Sequence, residues 1–415
     1  MSEPHLEGAR EIARTLREHG HLAYFAGGCV RDLLLGSAPK DYDVVTDALP
    51  EEVSRIFRRT VQVGAAFGVV RVLWTKKREY EVATFRTERG YSDGRRPDEV
   101  QYSASKEEDV ARRDFTINAL LMEPETGEIL DFVGGRADLE RGLIRAVGSP
   151  SLRFAEDRLR MLRAVRFAAR FGFTIERETR EAIRAHAPAI GAVSAERITA
   201  ELEAIWCSPR PGLGLRLLAE LGLAQTLLPF LEPLEHERLD RATAQLDRLP
   251  AAAADLGTDG KTALAWSALL HPAVPPVDPE EVLRGFKLPR DRLRTVQRLL
   301  ERRALLLAPD RASQAERVRV LIDVDTKVQL AYLEILTGAE SAERRRFTEE
   351  AVELQARPLP PMPVLTGQDL LSLGLTPGPE FKALLAGIEV EVLERRIQTK
   401  AQALNWVRLR LGETS

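Results

Sequence analysis

The pattern of apolar residues changes near residue 150, and this change limits what the chain can fold into. Before it, runs rich in β-branched and aromatic residues, such as 68–74 (GVVRVLW) and 79–85 (EYEVATF), indicate strands among helices. After it, apolar residues recur at three- and four-residue spacing, which is typical of amphipathic helices. The sequence therefore predicts an α+β chain, with a small mixed α/β head followed by helical domains.

The expected elements follow this division. In the head we expect a helix over 6–19, strands over 22–26, 68–74 and 79–85, an extended segment around Asp41–Val45 and a helix over 50–58. Beyond the head, single helices are expected over 152–171, 176–186, 194–206, 210–221 and 281–306. Breaks rich in Pro and Gly at 207–213, 271–278 and 357–363 divide the helical part. We predict a head (1–148), a neck (149–208), a body (209–355) and a tail (356–415).

Composition narrows the class of protein. The 415 residues carry a net charge of −3 and include two cysteines, neither in a CxxC pair, which argues against a disulfide framework or structural zinc. No run of about 18 uncharged apolar residues is present, so we expect a cytoplasmic protein without membrane association. A weakly negative chain does not wrap nucleic acid with its whole surface, so any RNA contact must come from local basic patches.

The strongest local signal is GGCVRDLLLGSAPKDYDVVT over 27–46. A strand that ends in two glycines and leads into a helix lets backbone N–H groups approach a phosphate, which makes Gly28 and Arg31 candidates to hold a triphosphate. Asp41 and Asp43 are two residues apart in an extended segment, so both carboxylates can point to one side and bind the same pair of Mg²⁺ ions. A structural turn and two exposed loop aspartates are the alternative interpretations.

The expected helix near residue 152 carries a second constellation. Several of its charged residues recur at three- and four-residue intervals and would share one helical face: Glu156, Asp157, Arg160, Arg163 and Arg166. A carboxylate accepts hydrogen bonds whereas a guanidinium only donates them. Cytosine and adenine both present an amino donor beside a ring-nitrogen acceptor, so Asp157 and Arg160 together could read either base and reject uracil and guanine. Salt bridges on a solvated helix are the alternative.

Two further segments contain candidate residues. In RRDFTINAL (112–120), Arg113 can pair with nucleotide phosphates, Asn118 offers an amide for sugar or backbone contacts, and Asp114 is expected to orient Arg113. A structural interpretation, with Phe115 in the core and Arg112 on the surface, remains open. In DFVGGRADL (131–139) the glycines most simply serve a turn.

These segments, together with TFRTERGYSDGRRP (84–97), resemble the nucleotidyltransferase superfamily and, within it, the bacterial class II CCA-adding enzymes and their poly(A) polymerase relatives. The resemblance covers most of residues 24–173 in the family's order. It implies a polymerase-beta-like sheet in the head and catalytic carboxylates at Asp41, Asp43 and Glu81. It also implies that Asp157 and Arg160 read CTP and ATP and that the phosphates meet Arg163 and Arg166; Glu156 would support base reading.

The resemblance further implies the reaction and the partners. The 3′-hydroxyl of tRNA would attack the α-phosphate of CTP or ATP, with Mg²⁺ as cofactor and pyrophosphate as leaving group; no DNA partner is expected. The loop 86–102 has full length, which favours addition of the terminal A. Residues 194–206, with Ser194 as N-cap, resemble a motif that braces the neck, and residues 365–385 and 399–411 resemble a tail that grips the tRNA elbow and T-arm.

Several other functions remain to be separated from this one. A poly(A) polymerase shares the head and neck but often has a basic C-terminal region, whereas this sequence ends in RLRLGETS. Enzymes that add only CC or only A are a second alternative. A catalytically inactive RNA-binding protein is less compatible with intact Asp41, Asp43, Asp157 and Arg160. A small-molecule nucleotidyltransferase would share the Asp-x-Asp site, but it would not need the Asp157–Arg160 base reader or the long helical part of the chain. No His is followed by Asp, so a His-Asp phosphohydrolase activity is not expected.

Overall fold

The computed structural model describes residues 3–62, 68–75, 78–89, 99–231, 236–270, 278–323 and 325–412. The chain divides into two compact units, Met1–Leu234 and Glu235–Ser415. The strands found in these ranges all lie in the first unit, and the second unit is helical, so the predicted α+β class is confirmed. The predicted head and neck both fall in the first unit, while the bounds of the four predicted domains stay predictions. No helix in the described ranges is long and apolar enough to cross a membrane.

The first unit is built around one mixed sheet. Its strands and those of two small additional sheets are β1 (Ala23–Ala26), β2 (Asp43–Thr46), β3 (Thr60–Gln62), β4 (Val69–Thr75), β5 (Arg78–Thr84), β6 (Arg86–Arg89), β7 (Glu99–Tyr102), β8 (Leu121–Met122), β9 (Ile129–Leu130), β10 (Leu143–Ile144) and β11 (Thr174–Ile175). Within the described ranges, the main sheet has the order β3-β4-β5-β2-β1-β8-β9. Among the described strands of this sheet, only β2 and β5 pair in parallel, and β2 lies antiparallel to β1.

The helices of the first unit follow in chain order. They are α1 (Glu3–Glu18), α2 (Gly28–Leu34), α3 (Pro50–Ile56), α4 (Lys106–Ala111), α5 (Gly135–Glu140), α6 (Pro150–Glu156), α7 (Leu159–Phe171), α8 (Arg177–His186), α9 (Ala195–Trp206), α10 (Pro211–Glu220) and α11 (Leu223–Leu227). Shorter 3₁₀ turns include Thr116–Asn118. Helices α7 and α9 pack against each other, which brings the segments around residues 160 and 200 together.

The sheet is covered on both faces, as the alternation of strand side chains requires. Phe25 and Val44 enter a core that includes Ile12 of α1. Their neighbours Ala26 and Val45 enter a second core on the opposite face. The central strands are therefore held from both sides, and the residues at their ends are fixed in position.

The single helix predicted over 152–171 is wrong, because the structure has two helices, α6 and α7, with a break at Asp157. Asp157 has extended backbone angles (φ −144°, ψ 105°), and its Oδ1 accepts a hydrogen bond from the backbone N–H of Leu159 at 3.1 Å. Aspartate side chains compete with the helical backbone in this way. Apolar periodicity does not detect such a break, because the spacing continues across it.

Two other expectations need correction. The helix predicted over 281–306 is two helices separated by Phe286–Pro289, because Pro289 cannot continue a helix and disfavours helical geometry at the residue before it. The part expected to be helical also contains a strand, since β11 pairs in parallel with β10.

Part of the predicted loop 86–102 is a paired hairpin. Its ends form β6 and β7, with Arg86 opposite Tyr102 and Arg89 opposite Glu99. Residues 90–98 lie outside the described residues, as does most of the predicted break at 271–278.

The second unit contains helices whose apolar residues recur at helical spacing. They are α12 (His236–Ala252), α13 (Thr258–Leu270), α14 (Pro279–Gly285), α15 (Arg290–Leu307), α16 (Gln314–Asp323), α17 (Thr326–Thr337), α18 (Ala342–Ala356), α19 (Gly367–Ser372), α20 (Pro379–Leu393) and α21 (Lys400–Arg410). In α20, Leu384, Ile388 and Val392 are spaced four residues apart and enter a core shared with α19 and α21.

The segment 131–139 has the structural role expected for its glycines. The carboxylate of Asp131 accepts from the backbone N–H groups of Val133, Gly135 and Arg136. A Cβ at Gly135 would lie 2.1 Å from the backbone oxygen of Thr116. Only glycine allows this contact, which supports the 3₁₀ turn that carries Asn118.

We predict that Gly135→Ala destabilises the protein by about 1–3 kcal/mol, because the added methyl must displace the backbone of the 3₁₀ turn. Urea unfolding followed by circular dichroism measures the effect. Gly191→Ala is the matched control, since its nearest new contact would be an ordinary 3.5 Å to Thr226. Equal unfolding midpoints for the two variants would show that the turn moves away at little cost.

Candidate active site

The Gly-Gly turn lies beside the two aspartates. Gly27 follows β1 and has φ 73°, a left-handed conformation that favours glycine, and a Cβ there would lie 3.1 Å from Nη1 of Arg113. Gly28 begins α2 with an ordinary conformation. Asp43 pairs with Ala26, so β2 begins next to this turn. The conformational requirement for glycine is therefore at Gly27 rather than at Gly28.

The sheet register brings three carboxylates to the same region. Asp43 and Glu81 each precede the first paired residues of the parallel strands β2 and β5, Val44 and Val82. All three carboxylates are solvent-accessible, and Asp41 lies two residues before Asp43. Because nearby protein atoms limit the hydration of Asp43, and because Glu81 and Asp41 add like charge, the pKa of Asp43 rises to about 6 despite the opposing charge of Arg113.

The donor set suits a divalent cation only in part. In the described ranges, no salt bridge or hydrogen bond joins the carboxylates of Asp41 and Asp43 to a cationic side chain, so their oxygens are available. Glu81 instead pairs with Arg71 at 3.3 Å. No group of three or more His, Cys, Asp or Glu side chains converges as a preformed metal site within the residues described. The pair of aspartates is therefore the candidate ligand set, with Glu81 as an adjacent negative charge.

Arg31 is held rigidly between two elements. Its side chain is 4% exposed, and its guanidinium lies 5.3 Å from the ring centre of Phe167 and 4.8 Å from that of Phe171. The Nε of Arg31 donates to Oδ1 of Asp32 at 2.8 Å, and Arg170 donates to the other Asp32 oxygen at 2.9 Å. Asp32 thus joins α2 to α7.

The 3₁₀ turn after α4 is tied to α7 by a second carboxylate. Asp114 accepts from Nε of Arg163 at 2.8 Å and from the Asn118 amide at 3.1 Å. Burial alone would raise the pKa of Asp114, but Arg163 and these hydrogen bonds hold it below its usual value. The expectation that Asp114 orients Arg113 is wrong, because Arg113 pairs with Asp109 at 2.9 Å. Arg112, expected at the surface in the structural interpretation, is half-buried and bonds Asp109 as well.

The break between α6 and α7 separates the two base-reading candidates. Asp157 lies outside the helix, and its Oδ2 accepts from Nη2 of Arg197 at 2.7 Å. Arg160 instead donates to Glu156 at 2.7 Å. The prediction that these residues share one helical face is wrong for Asp157. Ser194 occupies the N-cap position of α9, but its side chain makes no capping hydrogen bond.

Two arginines of α7, Arg163 and Arg166, meet a carboxylate from α9. Glu201 lies 3.0 Å from Nε of Arg166 and 3.9 Å from Nη1 of Arg163, and its side chain is 10% exposed. Burial raises the pKa of Glu201 above its usual value, although both arginines oppose the rise. Glu201 therefore fixes α7 arginines in place from the neighbouring helix.

These side chains surround one cleft of about 510 Å³ in the first unit. It contains all the predicted site residues of the first unit except Asp41, Glu81 and Glu156, which lie outside its lining. Within the described chain, its lining has three aspartates, Asp43, Asp114 and Asp157, and eight arginines: Arg31, Arg112, Arg113, Arg160, Arg163, Arg166, Arg170 and Arg197. Such an excess of guanidinium groups suits a ligand with several negative charges, such as a triphosphate.

Sequence reasoning did not assign Asp32, Asp109, Arg170, Arg197 or Glu201 to the site. Asp109 has a local signal, because it precedes Arg112 and Arg113 by three and four residues, the spacing at which side chains meet on a helical turn. Arg197 and Glu201 lie about 40 residues from their partners, so no local spacing connects them.

Comparison with known proteins places this geometry in a family. Three family models match: the poly A polymerase head domain (23–145), the probable RNA and SrmB-binding site of polymerase A (172–235), and the putative tRNA nucleotidyltransferase domain 2 (260–407). A CCA-adding enzyme of Geobacillus thermodenitrificans is 45% identical over 69% of this chain and 68% of its own length. One of Levilactobacillus brevis is 36% identical over 96% of both.

A solved structure agrees with these relatives over the whole chain. The CCA-adding enzyme of Bacillus stearothermophilus in complex with CTP matches with a TM-score of 0.82 and 33% identity, covering 100% of both chains. The chain therefore belongs to the bacterial class II CCA-adding enzyme family.

Proposed function

We propose that this protein adds C and A to the 3′ end of tRNA, using CTP and ATP and releasing pyrophosphate. The observation that supports this most directly is the composition of the cleft. The lining combines Asp43 with a set of eight arginines, and it includes Asp157 and Arg160 at the α6–α7 break. The three parts match the three tasks of the reaction: activation of a hydroxyl, binding of a triphosphate and choice of a base.

The two aspartates beside the Gly-Gly turn would hold the catalytic cation. We infer that Asp41 and Asp43 are its ligands and that Mg²⁺ is the ion, because carboxylate oxygens are the ligands that it prefers. When bound, the metal would make the RNA 3′-hydroxyl a better nucleophile and offset negative charge on the leaving pyrophosphate. Glu81 adds negative charge beside this pair, as its effect on the pKa of Asp43 indicates.

The arginines of the cleft would orient the triphosphate. Arg31, Arg113, Arg163 and Arg166 are proposed to meet its oxygens, and Gly28 to allow the backbone of α2 to come close. The buried Nε of Arg113 has no hydrogen-bond partner among the residues described. This unused donor can serve an incoming acceptor, because an unpaired buried N–H is otherwise costly.

Base choice is assigned to Asp157 and Arg160. An ionised carboxylate offers about four acceptor sites, so Asp157 can bind Leu159 and Arg197 and still accept from the amino group of cytosine or adenine. Arg160, oriented by Glu156, keeps further N–H donors for the ring nitrogen. Uracil and guanine present the reverse order of donor and acceptor, and both contacts would be lost.

The RNA is assigned to the helical part of the chain. The family model of a probable RNA-binding site matches residues 172–235. Segments 365–385 and 399–411 are proposed to contact the tRNA elbow and T-arm. The cytoplasm is the proposed compartment. Poly(A) addition and CC-only or A-only addition are the alternatives. Purified protein assayed with tRNA lacking CCA, CA or A against each nucleotide separates them, and we expect completion of CCA on all three.

We predict that Asp43→Asn abolishes addition of both C and A, because the metal loses a charged ligand. Binding of tRNA should stay unchanged, because the proposed RNA-binding segments are not altered. Asp41→Asn should have the same two effects. Incorporation of labelled nucleotide and filter binding of tRNA measure the two effects. Glu123→Gln is the control, since Glu123 bonds Arg17 and Thr126 and does not line the cleft. Near-normal incorporation by either aspartate variant in Mg²⁺ would contradict the assignment.

We predict that Arg160→Ala and Asp157→Ala raise incorporation of UTP and GTP relative to CTP and ATP by roughly 5- to 150-fold, the equivalent of about 1–3 kcal/mol per lost contact. Competition between nucleotides measures the ratio, and circular dichroism checks that the helices remain. Unchanged base preference with a lower rate in both variants would show that these residues do not read the base.

We predict that deletion of residues 88–96 reduces addition of A more than addition of C, because the full-length loop is proposed to adapt the site for the last step. Single-nucleotide assays on tRNA ending before the first C and before A compare the two steps. Equal losses would indicate that the loop only supports the fold.

A further inference from the structure

A buried carboxylate that does not line the cleft binds two of the arginines that do. Asp109 lies on α4, three and four residues before Arg112 and Arg113, and its side chain is 1% exposed. Its Oδ1 accepts from Nε of Arg112 at 3.0 Å, and its Oδ2 accepts from Nη2 of Arg113 at 2.9 Å. Each oxygen therefore holds a different arginine.

The position of α4 is itself fixed. Ser105 caps the helix by accepting from the backbone N–H of Glu108 at 3.2 Å, and Val110 enters the second core of the sheet. Asp109 is thus presented from a rigid helix, and its ionised form is favoured: burial would raise its pKa, but Arg112 and Arg113 hold it below the usual value. Two cationic hydrogen-bond partners are what a buried carboxylate needs to remain charged.

Arg113 connects this carboxylate to the reacting end of the cleft. One of its terminal nitrogens, Nη2, binds Asp109, while Nη1 lies close to Gly27 and donates to the backbone oxygen of Asn118 at 3.4 Å. The charge of Arg113 also acts on Asp43. The guanidinium therefore has one end fixed and the other beside the Gly-Gly turn.

We propose that Asp109 is a positioning residue for nucleotide binding: it fixes the Arg113 guanidinium in the orientation that meets the triphosphate, without touching the nucleotide itself. This rests on the proposed function, which assigns Arg113 to the phosphates. CTP and ATP share the triphosphate, so the contribution of Asp109 is equal for both and does not affect base choice.

The test is equilibrium binding of CTP and of ATP by calorimetry, without RNA, for wild type, Asp109→Asn, Arg113→Ala and the double variant. The Asp109→Asn change keeps the size of the side chain but removes its charge, so Arg113 would no longer be held. We expect Asp109→Asn to weaken binding of both nucleotides by about 10-fold, which is the effect of losing one hydrogen bond to a charged group. The double variant should lose less than the sum of the two single losses, because the effect of Asp109 on the triphosphate passes through Arg113, while its other oxygen holds Arg112.

Three results would overturn the proposal: wild-type affinity in a folded Asp109 variant, a loss confined to one nucleotide, or additive losses in the double variant. Urea unfolding checks the fold, with Glu123→Gln as a control whose nucleotide binding should be unchanged. If Asp109→Asn does not fold, Asp109→Glu keeps the charge but shifts it by one methylene, and it should also weaken both nucleotides equally. The readout needs no turnover, so a wild-type protein that binds CTP and ATP but adds neither to tRNA would contradict only the proposed function.

Discussion

Concentration of positive charge in a single cleft is the constraint on which the arrangement of the first unit depends. Like charges repel, and burial lowers the pKa of Arg31 and Arg166 below the usual arginine value. Carboxylates on other residues offset both effects, with Asp32 beside Arg31 and Glu201 beside Arg166. A buried charge without a partner is strongly destabilising, so these acids are as necessary to the cleft as its arginines.

The same pairs determine how the elements pack. Asp32 on α2 binds Arg170 on α7, and Asp114 binds Arg163 of the same helix, over separations of 138 and 49 residues. Helix α7 is thereby attached to both the Gly-Gly turn and the 3₁₀ turn that carries Asn118. The distance between the aspartates beside the Gly-Gly turn and the α6–α7 break is therefore set by ion pairs as well as by the apolar core.

Sequence patterns predicted the parts of this site that depend on local geometry. The strands of the head follow from β-branched and aromatic runs, and the proximity of Asp41 and Asp43 follows from the period of an extended chain. The partner of Asp114 could not be predicted, because Arg163 lies 49 residues away and several other arginines are nearer along the chain. The break at Asp157 was also missed, since it depends on one side chain binding the backbone N–H of Leu159 while apolar spacing continues.

That break bears directly on the proposed base reader. In a continuous helix, Asp157 and Arg160 would lie at i and i+3 on one face and could neutralise each other. Outside the helix, Asp157 binds Arg197, while Arg160 binds Glu156, and among the described residues no ion pair joins Asp157 to Arg160. Each reader is thus oriented by a separate partner and retains hydrogen-bonding capacity towards a base. Because both partners are charged and partly buried, the two readers need little reorganisation when a nucleotide binds, which is what discrimination by hydrogen-bond direction requires.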